Sequence, residues 1–296
     1  MFGLLNINKP QGPTSHDMVA RVRRGIQLKK VGHAGTLDPM ATGVLVLCLG
    51  PATRLSEYVM GSPKTYRARV HFGIETDTYD AAGAIVAQQP DPVRREMVIA
   101  ALDQFRGDIA QIPPMYSAIK QGGKKLYDLA RAGQEVERPP RPVTIHRLDL
   151  TGWDFPYADL DIECSPGTYI RSLAHDLGQA VGIGAHLTAL ERSASGAFTI
   201  ENAVTWPDLE AAMAGGTWEH YLLPPDLALA DTPVIQLDAA GTADVFNGRL
   251  IPVHDTQGSD PNISGDLARA HDSDGQLIAI LTRRGDQWKP DKVFPR

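Results

Sequence analysis

The sequence lacks the signatures of metal-dependent and secreted proteins. It has two cysteines, Cys48 and Cys164, which lie far apart, and it has neither a Cys-x-x-Cys pair nor a Cys/His cluster with zinc spacing. Two distant cysteines in apolar or strand-like surroundings are typical of reduced, buried thiols. We therefore expect a cytoplasmic protein without a metal site.

Motifs for nucleotide cofactors and for serine nucleophiles are absent as well. The chain has no Gly-x-x-x-x-Gly-Lys-Ser/Thr loop, no Gly-x-Gly-x-x-Gly motif after a strand, and no Gly-x-Ser-x-Gly elbow. The first residues lack the charged start and the long apolar core of a secretory signal. No apolar run approaches the ~20 residues that a membrane-spanning helix needs. These absences predict no nucleotide cofactor, no leader and no membrane insertion.

Basic residues are concentrated near the N-terminus, although the net charge of the whole chain is −6. Residues 1–72 contain ten Lys or Arg and three Asp or Glu, whereas residues 231–296 contain seven and ten. A basic surface on an acidic protein fits a polyanionic substrate that binds at one face. Solvated helix faces are the alternative, because most lysines and arginines are simply exposed.

Strands and helices do not alternate one for one along the 296 residues. This pattern favours an α+β fold, with a mixed, mainly antiparallel sheet and flanking helices. Pro224, Pro225 and Pro233 mark a boundary, after which short strands and Gly/Asn/Asp turns predict a small all-β module. The expected domains are residues 1–230 and 231–296. Strand patterns occur at 3–9, 64–73, 143–150 and 159–165, and helical patterns at 16–27, 52–60, 95–106, 124–132 and 171–181.

The segment 35–43 holds one carboxylate, Asp38, in a sequence suited to a rigid turn. Gly35 and Gly43 can adopt backbone conformations that other residues avoid, and Pro39 biases Asp38 toward an extended geometry. The apolar run 44–49 predicts a buried strand. An acid fixed beside such a strand is a candidate nucleophile or general base. An ordinary turn aspartate is the alternative, since Asp-Pro is a common turn pair.

A chain of motifs covering roughly residues 3–200 resembles bacterial tRNA pseudouridine-55 synthases, the TruB-type family. The C-terminal module, ending in WKPDKVF at 288–294, is similar to the PUA-type RNA-binding domain. The motifs are GLLNINKPQGPTS at 3–15, GHAGTLDPMATG at 32–43, KTY at 64–66, DTYD at 77–80, MYSA at 115–118, GTYIR at 167–171 and GAHL at 184–187.

The resemblance implies the isomerisation of one uridine, at position 55 in the T loop of tRNA. The N-glycosidic bond breaks, the base turns within the site, and a carbon–carbon bond forms to the same sugar. Because substrate and product share one formula, the resemblance implies no redox cofactor, metal or energy source. The implied partner is the T stem-loop of tRNA, bound by a monomer without a protein partner.

The resemblance assigns the chemistry to Asp38, and leaves open whether its carboxylate attacks the base or the sugar. It implies that Arg171 pairs with this acid, and a guanidinium would keep the carboxylate ionised by lowering its pKa. Tyr66 is implied to stack on the target base, near the proton that must leave. Its position on the apolar face of a predicted strand equally suits a core tyrosine.

The remaining implied roles concern the pocket and the RNA. Tyr169 and Leu190 match pocket-lining positions, and Asp80 matches an acid that hydrogen-bonds the flipped base or its surroundings. A base inside a folded loop has to be extruded at a cost of a few kcal/mol, and His33 matches the residue that fills the resulting gap. Lys9, Lys64 and the basic residues of 21–30 are candidate phosphate contacts, although Lys9 could instead brace the site loop.

Two positions depart from the family pattern. Glu191 stands where a basic residue often follows the leucine at 190, and Tyr79 stands where a small or polar residue is usual. Two other functions fit the same residues. One is a non-catalytic RNA-binding or RNA-folding protein on the same scaffold, and the other is a nucleoside or glycoside hydrolase that pairs Asp38 with Asp77 or Asp80.

Overall fold

The structure is a computed structural model that describes residues 2–89, 91–117, 119–252 and 266–295. Ala118 of the 115–118 motif, and residues 253–265 of the C-terminal module, lie outside the described residues. Within the described ranges, no helix combines the length and the apolar character that crossing a membrane requires.

The elements are numbered in chain order over the described residues. The strands are β1 (Gly3–Lys9), β2 (Val31–His33), β3 (Thr42–Leu49), β4 (Lys64–Phe72), β5 (Ile74–Thr76), β6 (Ile85–Gln88), β7 (Gly107–Gln111), β8 (Lys120–Gln121), β9 (Lys124–Lys125), β10 (Arg141–Asp154), β11 (Tyr157–Cys164), β12 (Ala185–Ser195), β13 (Phe198–Thr199), β14 (Val204–Thr205), β15 (Val234–Gln236), β16 (Ile251–Pro252), β17 (Leu267–His271), β18 (Leu277–Arg284) and β19 (Gln287–Val293). The helices are α1 (Ser15–Gly25), α2 (Ser56–Gly61), α3 (Arg95–Leu102), α4 (Leu126–Arg131), α5 (Ile170–Val181), α6 (Trp206–Gly215) and α7 (Ala239–Phe246).

A ten-stranded sheet forms the body of the protein. Its order is β14-β1-β3-β12-β4-β11-β10-β7, with β2 paired to β3 and β13 paired to β12. The pairs β1–β14 and β3–β12 are parallel, and the other pairs of this sheet are antiparallel. The expected α+β fold with a mixed, mainly antiparallel sheet is confirmed.

Strand β4 forms where the sequence alternates between apolar and polar residues. Tyr66, Ala68 and Val70 are buried, whereas Arg67 and Arg69 on the opposite face are exposed. The buried face packs into the main core together with apolar residues of α1, α3 and α5. The side chain of Thr14 caps α1 by accepting a hydrogen bond from the backbone N–H of Asp17.

Strand β3 is buried on both faces, as its continuous apolar run predicts. Leu45 and Leu47 pack into the main core. Val46 and Cys48 point into a second apolar cluster on the other side of the sheet. A strand without exposed side-chain surface is a rigid base for the loop that precedes it.

The C-terminal module contains a five-stranded sheet with the order β15-β17-β18-β19-β16. The expectation that this module is all-β is wrong in one respect, because it also contains α7. Asp238 caps this helix by accepting a hydrogen bond from the backbone N–H of Gly241, and Val245 is fully buried. The pair Asn247 and Gly248 therefore follows a helix instead of linking two strands.

The C-terminal sheet shares a core with the central sheet. Leu277, Ile280 and Phe294 belong to the same apolar cluster as Val46 of β3. The ring of Phe294 also stacks on that of Phe2, with 4.9 Å between centroids. Burial of this common surface fixes the module against the back of β3.

Candidate active site

The loop 34–41 connects β2 to β3 and carries Asp38 near its centre. The Ser15 hydroxyl, at the start of α1, accepts a hydrogen bond from Leu37 N at 2.8 Å and donates one to Leu37 O at 3.1 Å. The backbone N–H of Gly12 donates to Pro39 O at 2.8 Å. Residues on both sides of Asp38 are thus fixed to the N-terminal turn of the chain.

Gly43, at the end of this loop, has a φ of +98°. A Cβ atom at this position would lie 2.3 Å from the backbone oxygen of Arg192 on β12. Glycine is therefore required both for the backbone conformation and for the close approach of β3 to β12.

Lys9 is fully buried directly beneath the loop. Its Nζ donates to Ala41 O at 2.7 Å, to Pro10 O at 2.9 Å and to Pro39 O at 3.4 Å. Burial lowers the pKa of Lys9 to about 8, while the nearby Asp38 acts in the opposite direction. Two of these bonds hold the loop and the third holds the adjacent Pro10, so Lys9 is a brace and its geometry does not support the expected phosphate contact.

Lys64 is buried in the same way at the start of β4. Its Nζ donates to the backbone oxygens of Ser62, Val59 and Met60 at 2.5, 2.9 and 3.2 Å. Burial, together with the charge of Arg192, lowers the pKa of Lys64 to about 8. The expected phosphate contact is not supported here either, because the ammonium group is turned inward and occupied.

Arg192 on β12 belongs to the site, although the sequence analysis assigned it no role. It is 2% exposed, and its guanidinium donates to Val44 O at 2.8 Å, Thr36 O at 3.3 Å and Gly35 O at 3.4 Å. Among the described residues, no carboxylate forms an ion pair with it. The alternation of side chains along a strand could have indicated Arg192, because residue 192 faces the same side of β12 as the expected pocket residue Leu190.

The carboxylate of Asp38 pairs with the guanidinium of Arg171, which lies in the first turn of α5. Arg171 Nε is 2.8 Å from Asp38 Oδ2. The arginine side chain is 5% exposed, whereas the aspartate side chain keeps 34% of its surface accessible. The pair is therefore sealed on the arginine side and open on the carboxylate side, as a nucleophile requires.

Further bonds fix the orientation of Arg171. Its Nη2 donates to Tyr116 O at 2.7 Å and its Nη1 to Thr78 O at 3.1 Å, and Nη1 lies 3.6 Å from Asp80 Oδ2. Asp80 is 6% exposed, and its Oδ1 accepts hydrogen bonds from Thr78 Oγ1 at 2.7 Å and from Ala82 N at 3.0 Å. The resemblance implies that Asp80 hydrogen-bonds either the flipped base or its surroundings. The structure places Asp80 beside Arg171, in the surroundings of the Asp38 carboxylate.

The ionisation of Asp38 is set by opposing influences. Desolvation raises the pKa of this carboxyl, Arg171 lowers it, and the neighbouring Asp80 raises it again. The resulting direction is upward, opposite to the lowering expected from Arg171 alone. Arg171 therefore limits a rise in the pKa that burial would otherwise make larger.

Two of the expected pocket residues, Tyr66 and Tyr169, lie close enough to Asp38 for its charge to act on them. Tyr66 and Leu190 are each 8% exposed and lie on neighbouring strands, β4 and β12, in the main core. Tyr169 precedes α5, and its backbone N–H and C=O are bonded by the amide of Gln111 at 2.7 and 3.0 Å. Burial raises the pKa of both tyrosines, and Asp38 adds to the rise in each.

His33 is the last residue of β2, directly before the loop, and pairs with Leu47 of β3. Burial lowers the pKa of its imidazole, and the charges of His16 and Arg192 act in the same direction. A neutral ring at the entrance to the loop is suited to stacking.

The arrangement places one accessible carboxylate among buried cations, one buried and one partly buried tyrosine, and a neutral imidazole. Within the described residues, no cluster of three or more His, Cys, Asp or Glu is positioned to bind a metal ion. The group with the geometry for covalent chemistry is Asp38.

Comparison with protein families gives two adjacent matches that cover most of this architecture. Residues 23–170 match the N-terminal domain of the TruB family pseudouridylate synthases, and residues 171–230 match the tRNA pseudouridylate synthase B C-terminal domain. The chain belongs to the TruB family.

Curated TruB relatives resemble the chain over most of its length. A tRNA pseudouridine synthase B of Dehalococcoides mccartyi is 45% identical over 100% of this chain and 97% of its own length. The enzyme of the same name from Symbiobacterium thermophilum is 50% identical over 83% of this chain and 82% of its own length. That of Geobacillus kaustophilus is 46% identical over 85% and 91%.

Two solved structures of similar fold are multi-component complexes. An H/ACA RNP bound to a substrate RNA containing 2'-deoxyuridine has a chain that is 25% identical, with a TM-score of 0.76 over 100% of this chain and 86% of that chain. A Cbf5-Nop10-Gar1 complex has one that is 27% identical, with a TM-score of 0.77 over 99% and 85%. The likeness of fold therefore extends over both the central sheet and the C-terminal module.

Proposed function

We propose that this TruB-family chain isomerises a uridine of tRNA to pseudouridine, at position 55 in the T loop. The Arg171–Asp38 pair carries the proposal, because it presents a partly open carboxylate 2.8 Å from a buried guanidinium. Relatives named tRNA pseudouridine synthase B support tRNA as the substrate.

The proposed reaction begins with attack by Asp38 on the target nucleotide, at the base or at the sugar. The N-glycosidic bond breaks, the base turns in the pocket, its C5 bonds to the same sugar carbon, and the bond between Asp38 and the nucleotide breaks to restore the free carboxylate. A proton leaves C5 and N1 gains one, so atoms and charge balance without an external reductant or oxidant. Tyr66, Tyr169 and Leu190 would hold the detached base and keep water away.

Access to the base requires its extrusion from the folded loop, which costs a few kcal/mol. We assign His33 to the gap left in the stack, because its ring lies directly before the loop that carries Asp38. A neutral imidazole fits this role, since stacking on bases needs no charge.

The two proposed domains divide the work. Residues 1–230 would bind the T stem-loop and carry out the chemistry, and residues 231–296 would act as a PUA-like RNA-binding module. We further propose that the protein acts as a monomer in the cytoplasm and without a protein partner. The main phosphate contacts would then come from exposed basic residues of 21–30, since Lys9 and Lys64 are buried.

The decisive experiment replaces Asp38 by asparagine and measures pseudouridine formation in a T-arm RNA. Asp38→Asn preserves the shape of the side chain but removes the charge and the nucleophile, so we expect intact RNA binding and no product. Asp159→Asn is the matched control, because it also disrupts an Arg–Asp pair, formed with Arg69 at 2.7 Å on the exposed face of the sheet. Full activity is expected for the control.

Three outcomes would contradict the proposal. Product formation by Asp38→Asn would remove this residue from the chemistry. RNA binding by the unaltered protein without isomerisation would favour an RNA-folding protein. Release of free uracil by the unaltered protein would favour a hydrolase.

The C-terminal module is best tested in the full chain, because it shares a core with β3. Arg284 and Lys289 are exposed on neighbouring strands of that module, β18 and β19. The double substitution Arg284→Ala and Lys289→Ala should weaken tRNA binding and leave the single-turnover rate at saturating RNA unchanged. Unchanged affinity would count against an RNA contact at this surface.

A further inference from the structure

We propose that the stacked rings of Tyr79 and His175 are a positioning element for the Arg171–Asp38 pair. The inference rests on the proposed function and deepens it, since it adds two residues that act through Arg171. Tyr79 is also one of the two residues that depart from the family pattern.

The backbone of Tyr79 adopts an unusual conformation. Its φ is +62°, and Gln27 is the other non-glycine residue with a positive φ in the described part of the chain. Side chains with a Cβ disfavour this region, so a tyrosine persists there only when its surroundings hold it. A residue that carries such strain within a candidate active site calls for a physical reason.

The stack with His175 supplies that reason. The two rings are nearly parallel, with an interplanar angle of 12° and 3.9 Å between centroids. The strained backbone conformation aims the tyrosine ring at α5 and not away from it. Contact between two aromatic rings is favourable beyond the area that it buries.

The stack joins the same two elements that hold Arg171. His175 lies on α5 four residues after Arg171, hence on the same face of the helix. Tyr79 lies between Thr78, whose carbonyl accepts from Arg171 at 3.1 Å, and Asp80, whose carboxylate is 3.6 Å from it. The segment 77–84 between β5 and β6, which carries Tyr79, is therefore connected to α5 at two points one helical turn apart. Arg171 makes one connection and the stacked rings make the other.

The segment 77–84 is also fixed on its other side. Leu187 N of β12 donates to Tyr79 O at 3.0 Å, and Ala81 N donates to Leu187 O at 2.9 Å. With the backbone fixed to β12, the ring stack determines how far α5 stands from the loop. Loss of the stack would let Arg171 move relative to Thr78 and Asp80, and the carboxylate of Asp38 would lose its alignment.

Neutral imidazole is the form suited to this stack. Burial lowers the pKa of His175, Glu75 of β5 raises it from 3.8 Å away, and Arg138 lowers it. The groups that set the ionisation of Asp38 itself are Arg171, Asp80 and Lys9. A weaker alignment of Arg171 removes the influence that lowers the Asp38 pKa, so the acid limb of the rate profile should move to higher pH.

The test uses two variants that remove the stack and two that keep it. Tyr79→Asn retains a residue that tolerates positive φ but has no ring, and His175→Ala removes the partner from the helix side. Tyr79→Phe and His175→Phe retain aromatic rings at both positions. Tyr157→Ala is the control, because it removes a different aromatic contact, between Tyr157 of β11 and His71 of β4, with 4.7 Å between ring centroids.

We expect Tyr79→Asn and His175→Ala each to lower the single-turnover rate at saturating T-arm RNA by about tenfold or more. The RNA dissociation constant should stay unchanged, and the acid limb should shift upward in pH. The double variant should lose no more than either single variant, because both remove the same contact. Both phenylalanine variants should restore the rate, and Tyr157→Ala should match the unaltered protein.

The proposal is overturned if the stack-removing variants keep the rate and the pH profile of the unaltered protein. A higher RNA dissociation constant with an unchanged rate at saturation would overturn it too, because Tyr79 would then contact RNA. If Tyr79→Asn fails to fold, His175→Ala alone decides, since it leaves the strained loop intact. A lack of isomerisation by the unaltered protein would be a failure of the proposed function itself, and would remove the basis of this inference.

Discussion

Two groups of basic side chains in the described structure behave in opposite ways. Around the site loop, Lys9, Lys64 and Arg192 are buried and bind backbone carbonyls. On the exposed face of β4, Arg67 and Arg69 pair with carboxylates at the surface. The buried cations determine the shape of the backbone around Asp38, whereas the exposed pairs are screened by solvent and determine little. Four substitutions, taken from the largest expected effect to the smallest, test this difference.

Arg171→Met should have the largest effect, because Arg171 both binds carbonyls and neutralises Asp38. Its removal leaves the partly open carboxylate of Asp38 and the buried carboxylate of Asp80 without the guanidinium that both face, which costs on the order of 3 kcal/mol of unfolding free energy. The rate of pseudouridine formation should fall much further than stability does. Urea unfolding and single-turnover kinetics measure the two quantities, and an Arg171→Met protein with a normal rate would refute the role of the pair.

Arg192→Met should come second, since it leaves the carbonyls of Val44, Thr36 and Gly35 without their donor. We expect a loss of about 2 kcal/mol in urea unfolding, from unsatisfied buried acceptors. Loosening of residues 35–36 should also displace Asp38 and lower the rate. Arg192→Lys is the comparison, because it keeps the charge but cannot span three acceptors. Equal stability of both variants and the parent would show that these bonds contribute nothing.

The local patterns of the sequence predicted much of the fold. The alternation of β4 and the apolar run of β3 depend on neighbours in the chain, and the structure contains both. Burial of individual cations depends on distant residues. Lys9 binds a carbonyl 32 residues away and Arg192 one 148 residues away, so the count of charges in residues 1–72 could not reveal either bond.

The site itself was only partly accessible to such patterns. Asp38 was a candidate from its own loop, but its partner Arg171 came from family resemblance and not from local spacing. Tyr79 had no account in the sequence, because neither its positive φ nor its contact with His175 leaves a trace in neighbouring residues. Tertiary contacts of this kind require coordinates.

Lys9→Met should have a smaller effect with a distinctive pH dependence. The pKa of Lys9 is about 8 in the folded protein, below the ordinary value of 10.5. Between these pH values the unfolded chain binds the proton more fully than the folded one, so unfolding free energy rises with pH from about 8 to 10.5. In Lys9→Met, the part of this rise in unfolding free energy that comes from Lys9 should be lost, and the part that comes from Lys64 should remain. Urea unfolding from pH 7 to 10.5 checks the slope, and an unchanged slope would contradict the assignment.

Arg69→Met should have the smallest effect of the four, although the Arg69–Asp159 ion pair is bidentate. Arg69 donates to both oxygens of Asp159, at 2.7 and 2.9 Å, but the two side chains are 53% and 42% exposed. Solvent screening and the entropy of ordering long side chains cancel most of the attraction. We expect the melting temperature to shift by less than about 1 °C, and the shift to vanish at high salt. A loss of stability as large as that of Lys9→Met would show that exposure does not distinguish the buried cations from the exposed ones. The type of partner, a carboxylate or a backbone carbonyl, would then be the difference between the two groups.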